Sequence, residues 1–304
     1  MIDSSQWRGY YAASPTPFDK EGKLDLGIMD DLIPWFLSQN PHGMVVNGTT
    51  GEWFAQTVAE RIAVAEKARG LIPRQLPLLI GVNAIHPTET IELAEAAASI
   101  GADGVLVSLP PARRLGESDI EHYFSFISSK LQLPALIYNL PGYVGHDIPT
   151  HLLERILSFD HIVGVKDNTP SKDQRLRNLR ALGKDHAIFS DVLEPSSMEL
   201  FKQGFGRGQI GSAMPLGSRL SSAFDAIANG DQATADAVVD DFSQFKREIE
   251  GAVGPGLPWH FYIKLIMRLS GVEAGYTRFP VRLPDGESPV AKRLREVLRN
   301  YSLA

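Results

Sequence analysis

No cysteine occurs among the 304 residues. That absence removes disulfides, thiolate nucleophiles and cysteine-held metals from consideration. Long apolar runs are missing as well, with nothing near the ~18–20 residues of a membrane-spanning helix. The opening stretch MIDSSQWRGYYAASPTPF lacks the basic start and apolar core of a signal peptide. Excess positive charge is also absent: the net charge is −6, which argues against nucleic acid and anionic membranes as partners. The eight histidines are scattered, and His146 and His151 fall outside helical i,i+4 spacing, so no metal centre is expected. GFGRGQIG (204–211) is glycine-rich but precedes a strand, whereas a dinucleotide fingerprint follows one. These absences lead to the expectation of a soluble, cytoplasmic protein.

What is present is an ordinary globular composition, 43% apolar and 22% charged, sufficient for a large core. Eight short apolar runs punctuate the chain, at 9–14, 43–47, 78–82, 104–108, 135–139, 162–166, 187–191 and 208–212. Amphipathic segments separate them. In 88–100, Leu93, Ala97 and Ile100 share one face, while Glu89, Glu92, Glu95 and Ser99 take the other. Thr57-x-x-Glu60 and Ser118-x-x-Glu121 read as capping boxes, and Gly101 and Gly183 as helix ends. Strand-helix alternation of this kind predicts an α/β fold, an eight-stranded parallel (β/α)8 TIM barrel. An open doubly wound sheet is the competing arrangement. After residue 216 the strand runs cease, and helices are expected over 217–230, 232–250, 258–271 and 289–300. The expected division is a barrel domain at 1–230 and a C-terminal helical extension at 231–304.

Three strand ends carry unusual chemistry. The run IVGVK ends in Lys166, whereas the other lysines fall in loops or on helices, where a solvated amine is expected; Lys264 is expected to snorkel. In NGTTGEWF, Gly48 and Gly51 bracket Thr49 and Thr50, a turn suited to an anion and equally to a simple hydrogen-bonded loop. In IYNLPGYVG, Tyr138 ends a strand before a Pro-Gly turn, where a structural tyrosine is also common. Together they suggest a mechanism. Partial desolvation lowers an amine's pKa, and the neutral amine attacks a ketone to form a Schiff base. The protonated imine then withdraws electrons from the adjacent carbon. A phenol can shuttle the protons, and the threonine turn can hold the carboxylate of a 2-oxo acid.

GTTGE, YNLPGYVG and GVKDNT, in this order and spacing, resemble the dihydrodipicolinate synthase/N-acetylneuraminate lyase family, from SPTPF (14–18) to the C-terminal helices. The resemblance implies Lys166 as the Schiff-base lysine and Tyr138 as the proton relay, with Gly48, Thr49 and Thr50 at the carboxylate of pyruvate or another 2-oxo acid. It implies a homotetramer and no metal or organic cofactor.

The sequence also departs from the family pattern. Tyr143 stands where the synthases place an arginine for their second substrate, and SLPPARRL (108–115) lacks their second tyrosine. Arg113 or Arg114 is a candidate for an acidic substrate group. GQIGSAM resembles the sugar-acid lyases, which puts Ser212 at the pocket, whereas their acidic pair aligns poorly near Pro195 and Ser196. Trp53 and Phe54 are expected to form an apolar wall. The expectation is an aldolase or dehydratase acting on a 2-keto-3-deoxy sugar acid or related 2-oxo acid. The alternatives are the dihydrodipicolinate synthase reaction itself and a non-catalytic 2-oxo-acid-binding barrel.

Overall fold

Eight parallel strands close into a barrel in the computed structural model, which describes residues 3–111, 114–212, 216–255 and 259–303. They are β1 Gly9–Ala13, β2 Gly43–Val46, β3 Leu78–Gly81, β4 Gly104–Val107, β5 Ala135–Asn139, β6 Ile162–Asp167, β7 Ala187–Phe189 and β8 Gly208–Gly211. Each falls on a predicted apolar run. Each pairs with its successor and β8 pairs with β1, which rules out the open sheet.

Alternate side chains face two different cores. Tyr11, Val45, Leu79, Leu106, Leu136, Phe189 and Ile210 fill the barrel interior, with Trp7 packed beneath them. Gly104 leaves room for that indole, since a Cβ there would lie 2.3 Å from the ring. The outward-facing residues, among them Val46, Ile80, Val107 and Ile137, pack against helices.

The surrounding helices are α1 Met29–Ser38, α2 Val58–Leu71, α3 Pro87–Ile100, α4 Glu117–Ser128, α5 Pro141–Val144, α6 Thr150–Ile156, α7 Lys172–Leu182, α8 Pro195–Lys202 and α9 Ser218–Ala228. Helix α3 follows its sequence pattern: Leu93 and Ala97 are buried, the three glutamates are exposed, and Gly101 ends it at φ 79°. The Thr57/Glu60 capping box is formed. The second expected box is not, because α4 starts earlier than its sequence suggests. Gly116 is the N-cap, its N–H donates to Asp119 at 3.0 Å, and Ser118 falls inside the first turn.

Three further helices follow, α10 Gln232–Val253, α11 Ile263–Leu269 and α12 Pro289–Asn300. The segment expected as one helix over 258–271 begins as a 3-10 turn, Trp259–Tyr262, before α11. Lys264 does not snorkel. It is 1% exposed, and its Nζ lies 2.5 Å from Glu52 and donates to the Tyr276 carbonyl at 2.7 Å. Burial lowers its pKa to about 8, with Glu52 opposing the shift. The physical reason for the correction is this partner: Glu52, just after the threonine turn, lets a lysine on an apolar helix be buried. Nearby, Arg278 makes two 2.8 Å bonds to Glu60 and also bonds the Gly22 and Ala55 carbonyls. The C-terminal segment is thus clamped to the loop and helix that follow β2.

Candidate active site

A cavity of about 590 Å³ lies at the C-terminal end of the barrel strands. Lys166 and Tyr138 are direct partners in the β5–β6 register, so both side chains enter the barrel at the same height. The Lys166 Nζ sits 3.9 Å from the centroid of the Tyr138 ring. The two residues are 7% and 5% exposed, and no ion pair holds the amine among the described residues.

The strand ends that carry this pair are locked from the opposite face. Asp167, one residue after Lys166, accepts from Asn139 at 3.0 Å, the Thr169 N–H at 3.2 Å and Asn178 at 2.9 Å. Asn139 also donates to Asp147 and accepts from the Ile148 N–H. Burial raises the pKa of Asp167, while the three hydrogen bonds favour its charged form. Such a satisfied polar network fixes β5 against β6 and leaves little play in the lysine-phenol geometry.

The threonine turn follows β2. Asn47 and Glu52 flank it in the left-handed region, at φ 58° and 55°. Gly81 on β3 permits this path, since a Cβ would meet the Asn47 carbonyl at 2.2 Å. Asn47 Nδ2 donates to the Arg61 carbonyl, and the buried Arg61 donates to the carbonyls of Asn83 and Gly81 at 2.6 Å each. Thr49 and Thr50 line the cavity, and the buried Thr49 Oγ1 has no hydrogen-bond partner. A substrate carboxylate is the kind of acceptor that would satisfy it.

Of the other sequence candidates, Tyr143 and Ser212 line the same cavity. Burial raises the pKa of Tyr143, and the neighbouring Tyr138 raises it further. Gly48 belongs to the turn but not to the cavity wall, and Arg113 lies outside the described residues. Trp53 and Phe54 form a 3-10 turn away from the wall, which corrects their expected role: the left-handed Glu52 redirects the chain, and Trp53 stacks with Arg61.

The structure adds residues that the sequence reading passed over. Asn168, Arg175, Asp191, Glu194 and Gln209 line the cavity. Asp191 follows β7, so the strand-end rule that singled out Lys166 points to it as well. Arg175 shares a buried stripe with Asn178, Leu179 and Leu182 on α7, an i, i+3, i+4, i+7 pattern visible in the sequence. From the C-terminal extension, α10 contributes Phe242, Ser243, Lys246, Arg247 and Glu250, a stripe across the mouth that no local motif announced. No group of acidic residues and histidines suited to a metal occurs among the described residues.

The dihydrodipicolinate synthetase family profile matches residues 6–294. The chain belongs to that family. It is 30% identical over 204 residues to the 4-hydroxy-tetrahydrodipicolinate synthase of Teredinibacter turnerae, covering 67% of this chain and 69% of that protein. It is 27% identical over 310 residues to a DapA-like lyase of Rhizobium meliloti, covering 100% and 99%. Among solved structures, CdNal from Clostridium difficile, in complex with mannosamine, superposes with a TM-score of 0.85 at 25% identity, over 99% of this chain and 100% of that one. The pyruvate complex of Acinetobacter baumannii dihydrodipicolinate synthase gives 0.86 at 24% identity over 98% and 100%, a likeness of fold. Members of the family are lyases of the class I, lysine Schiff-base type, and this chain is such a lyase. No helix among the described residues is long and apolar enough to cross a membrane.

Proposed function

We propose that this chain is a lyase acting on a 2-keto-3-deoxy sugar acid or a related 2-oxo acid, with Lys166 as the nucleophile. The amine attacks the 2-oxo carbon, water leaves, and the protonated imine accepts electrons either as the C3–C4 bond breaks or as C3 loses a proton, after which the enamine returns them and expels the C4 hydroxyl as water. Tyr138, with its ring against that amine, relays the proton. Thr49 and Thr50 take the carboxylate, while Ser212 and Tyr143 contact the remainder of the substrate.

The observation that carries this reading is the juxtaposition of Lys166 and Tyr138 across one strand register, in a cavity that also holds the unpartnered Thr49 hydroxyl. The names of the curated relatives favour a second reading, condensation of pyruvate with aspartate semialdehyde. Against it stands Tyr143, a half-buried phenol at the position where the synthases carry a cation. The Asp191 and Glu194 carboxylates on the wall suit hydroxyl groups rather than a second aldehyde acid. A panel of 2-oxo acids, alone and with aldehydes, decides between them by pyruvate release and loss of water. Efficient turnover of aspartate semialdehyde with pyruvate, and none of any sugar acid, would replace the first reading by the second. The family resemblance also supports a homotetramer in the cytoplasm, which sedimentation and cell fractionation would test.

A further inference from the structure

Four buried or part-buried arginines offer a comparison. Arg61 makes two carbonyl bonds of 2.6 Å. Arg69 bonds the Ile72 and Pro73 carbonyls at 2.6 and 2.9 Å and pairs with Asp103. Arg278 holds Glu60 with both terminal nitrogens at 2.8 Å. In each of these three the terminal guanidinium nitrogens make short bonds of 2.6–2.9 Å, although the buried Nε of Arg61 and of Arg69 has no partner. Arg175 differs. It is 9% exposed, yet its shortest contact is a 3.5 Å bond from Nη1 to the Thr169 carbonyl. Among the described residues its one ion-pair partner, Asp191, is 4.0 Å away, so what sets it apart is that its terminal nitrogens make no short bond.

Arg175 lines the same cavity as Lys166. Its place in the first turns of α7 directs its side chain back toward the strand end that carries the lysine. A guanidinium that donates one marginal bond inside a cavity wall is poised for an oxyanion from outside the protein. Lys246, half-buried on α10 and without an ion pair among the described residues, and Arg247 add positive charge to the same wall. The same cavity wall carries acceptors: the buried Asn168 Oδ1, which has no donor, and Asp191. Acceptors of this type suit hydroxyl groups.

We infer that Arg175 binds an anionic group at the far end of the substrate. The class of substrate is therefore a hydroxylated 2-oxo acid whose last carbon carries a second carboxylate or a phosphate ester. This inference rests on the Schiff-base reading and deepens it. Asp191, 4.0 Å from the guanidinium, orients it toward the cavity, and a ligand oxygen that comes closer would compete with that carboxylate.

The test compares 2-oxo-3-deoxy acids of equal chain length that differ only at the last carbon: a primary alcohol, a carboxylate and a phosphate ester. The wild-type protein should favour one anionic end over the alcohol by roughly ten- to a hundredfold in kcat/KM, as expected of one charged hydrogen-bonded contact. A preference for the carboxylate or for the phosphate identifies the source of the anion. In Arg175→Gln that ratio should collapse toward one, chiefly through KM for the anionic substrate, and Arg175→Lys should recover part of it. Equal turnover of all three by the wild type, or a preference for the alcohol, would overturn the inference. So would an equal loss on all three in Arg175→Gln. If the variant does not fold, the wild-type ratio still decides. Borohydride trapping of pyruvate on the wild-type protein serves as the separate control. If trapping fails, the Schiff-base reading is at fault; if it succeeds without discrimination, only the role of Arg175 is.

Discussion

Lys166 and Lys264 are both buried, 7% and 1% exposed, yet they occupy opposite chemical situations. Lys264 is held by Glu52, the Tyr276 carbonyl and the Phe18 ring. Lys166 touches the face of Tyr138 and otherwise looks into a cavity. Burial therefore does not mark a nucleophile. What marks it is burial without a partner, in a place that a substrate can reach. The paired lysine holds the threonine turn from behind, and the unpaired one faces that turn across the barrel mouth.

Substitution should separate the two most sharply in activity. Lys166→Met should lower turnover by on the order of 10⁴-fold or more, because nothing else forms the imine. Its thermal stability should hold near the wild-type value, since no ion pair is broken; steady-state kinetics and a melting curve check both. Next in size is Tyr138→Phe, for which turnover should fall on the order of 10²–10⁴-fold while 2-oxo-acid binding persists. A collapse of stability in that variant would instead make Tyr138 a packing residue.

Lys264→Met should do the reverse. Removing one member of a buried pair leaves Glu52 uncompensated and costs about 3–5 kcal/mol of stability in denaturant unfolding. The double variant Lys264→Met/Glu52→Gln should recover much of that loss. If Lys264→Met unfolds no more easily than the wild type, the clamp is not structural. The smallest effect concerns the neighbouring Glu60. Its carboxylate is held from its ordinary 4.5 down to about 2, mainly by Arg278 and against burial, with the Thr57 N–H assisting. A depressed carboxylate stabilises the folded state above 4.5, and that contribution drains away as the pH falls toward 2. Glu60→Gln should flatten this part of the pH-stability curve, and Thr57→Ala should cost about 1 kcal/mol through the lost cap.

The contrast between the lysines also shows what was legible in the sequence. All eight strands were, because short apolar runs, here giving strands of three to six residues, are local signals that barrel closure preserves. Lys166, Tyr138 and the threonine pair were legible for a related reason: each stands at or just after the end of such a run. Lys264 was misread because its partner lies far earlier in the chain, and local pattern carries no information about a counter-ion delivered by the fold. Arg175 was hidden differently. Its stripe on α7 was visible, but only the structure shows that its guanidinium lacks the short bonds that Arg61, Arg69 and Arg278 make. The α10 stripe over the cavity depended on where that helix lands, which helical periodicity cannot specify. The start of α4 slipped because Ser118-x-x-Glu121 and Gly116-x-x-Asp119 are competing caps in one stretch, and the earlier one won.

The most direct test of the contrast is reductive trapping. The protein is incubated with pyruvate and borohydride, digested, and mapped by mass spectrometry. The account predicts a single adduct on Lys166 and none on Lys264, whose amine is paired with Glu52 and does not line the cavity. An adduct on Lys264 or any other lysine, or none with any 2-oxo acid that binds, would contradict it.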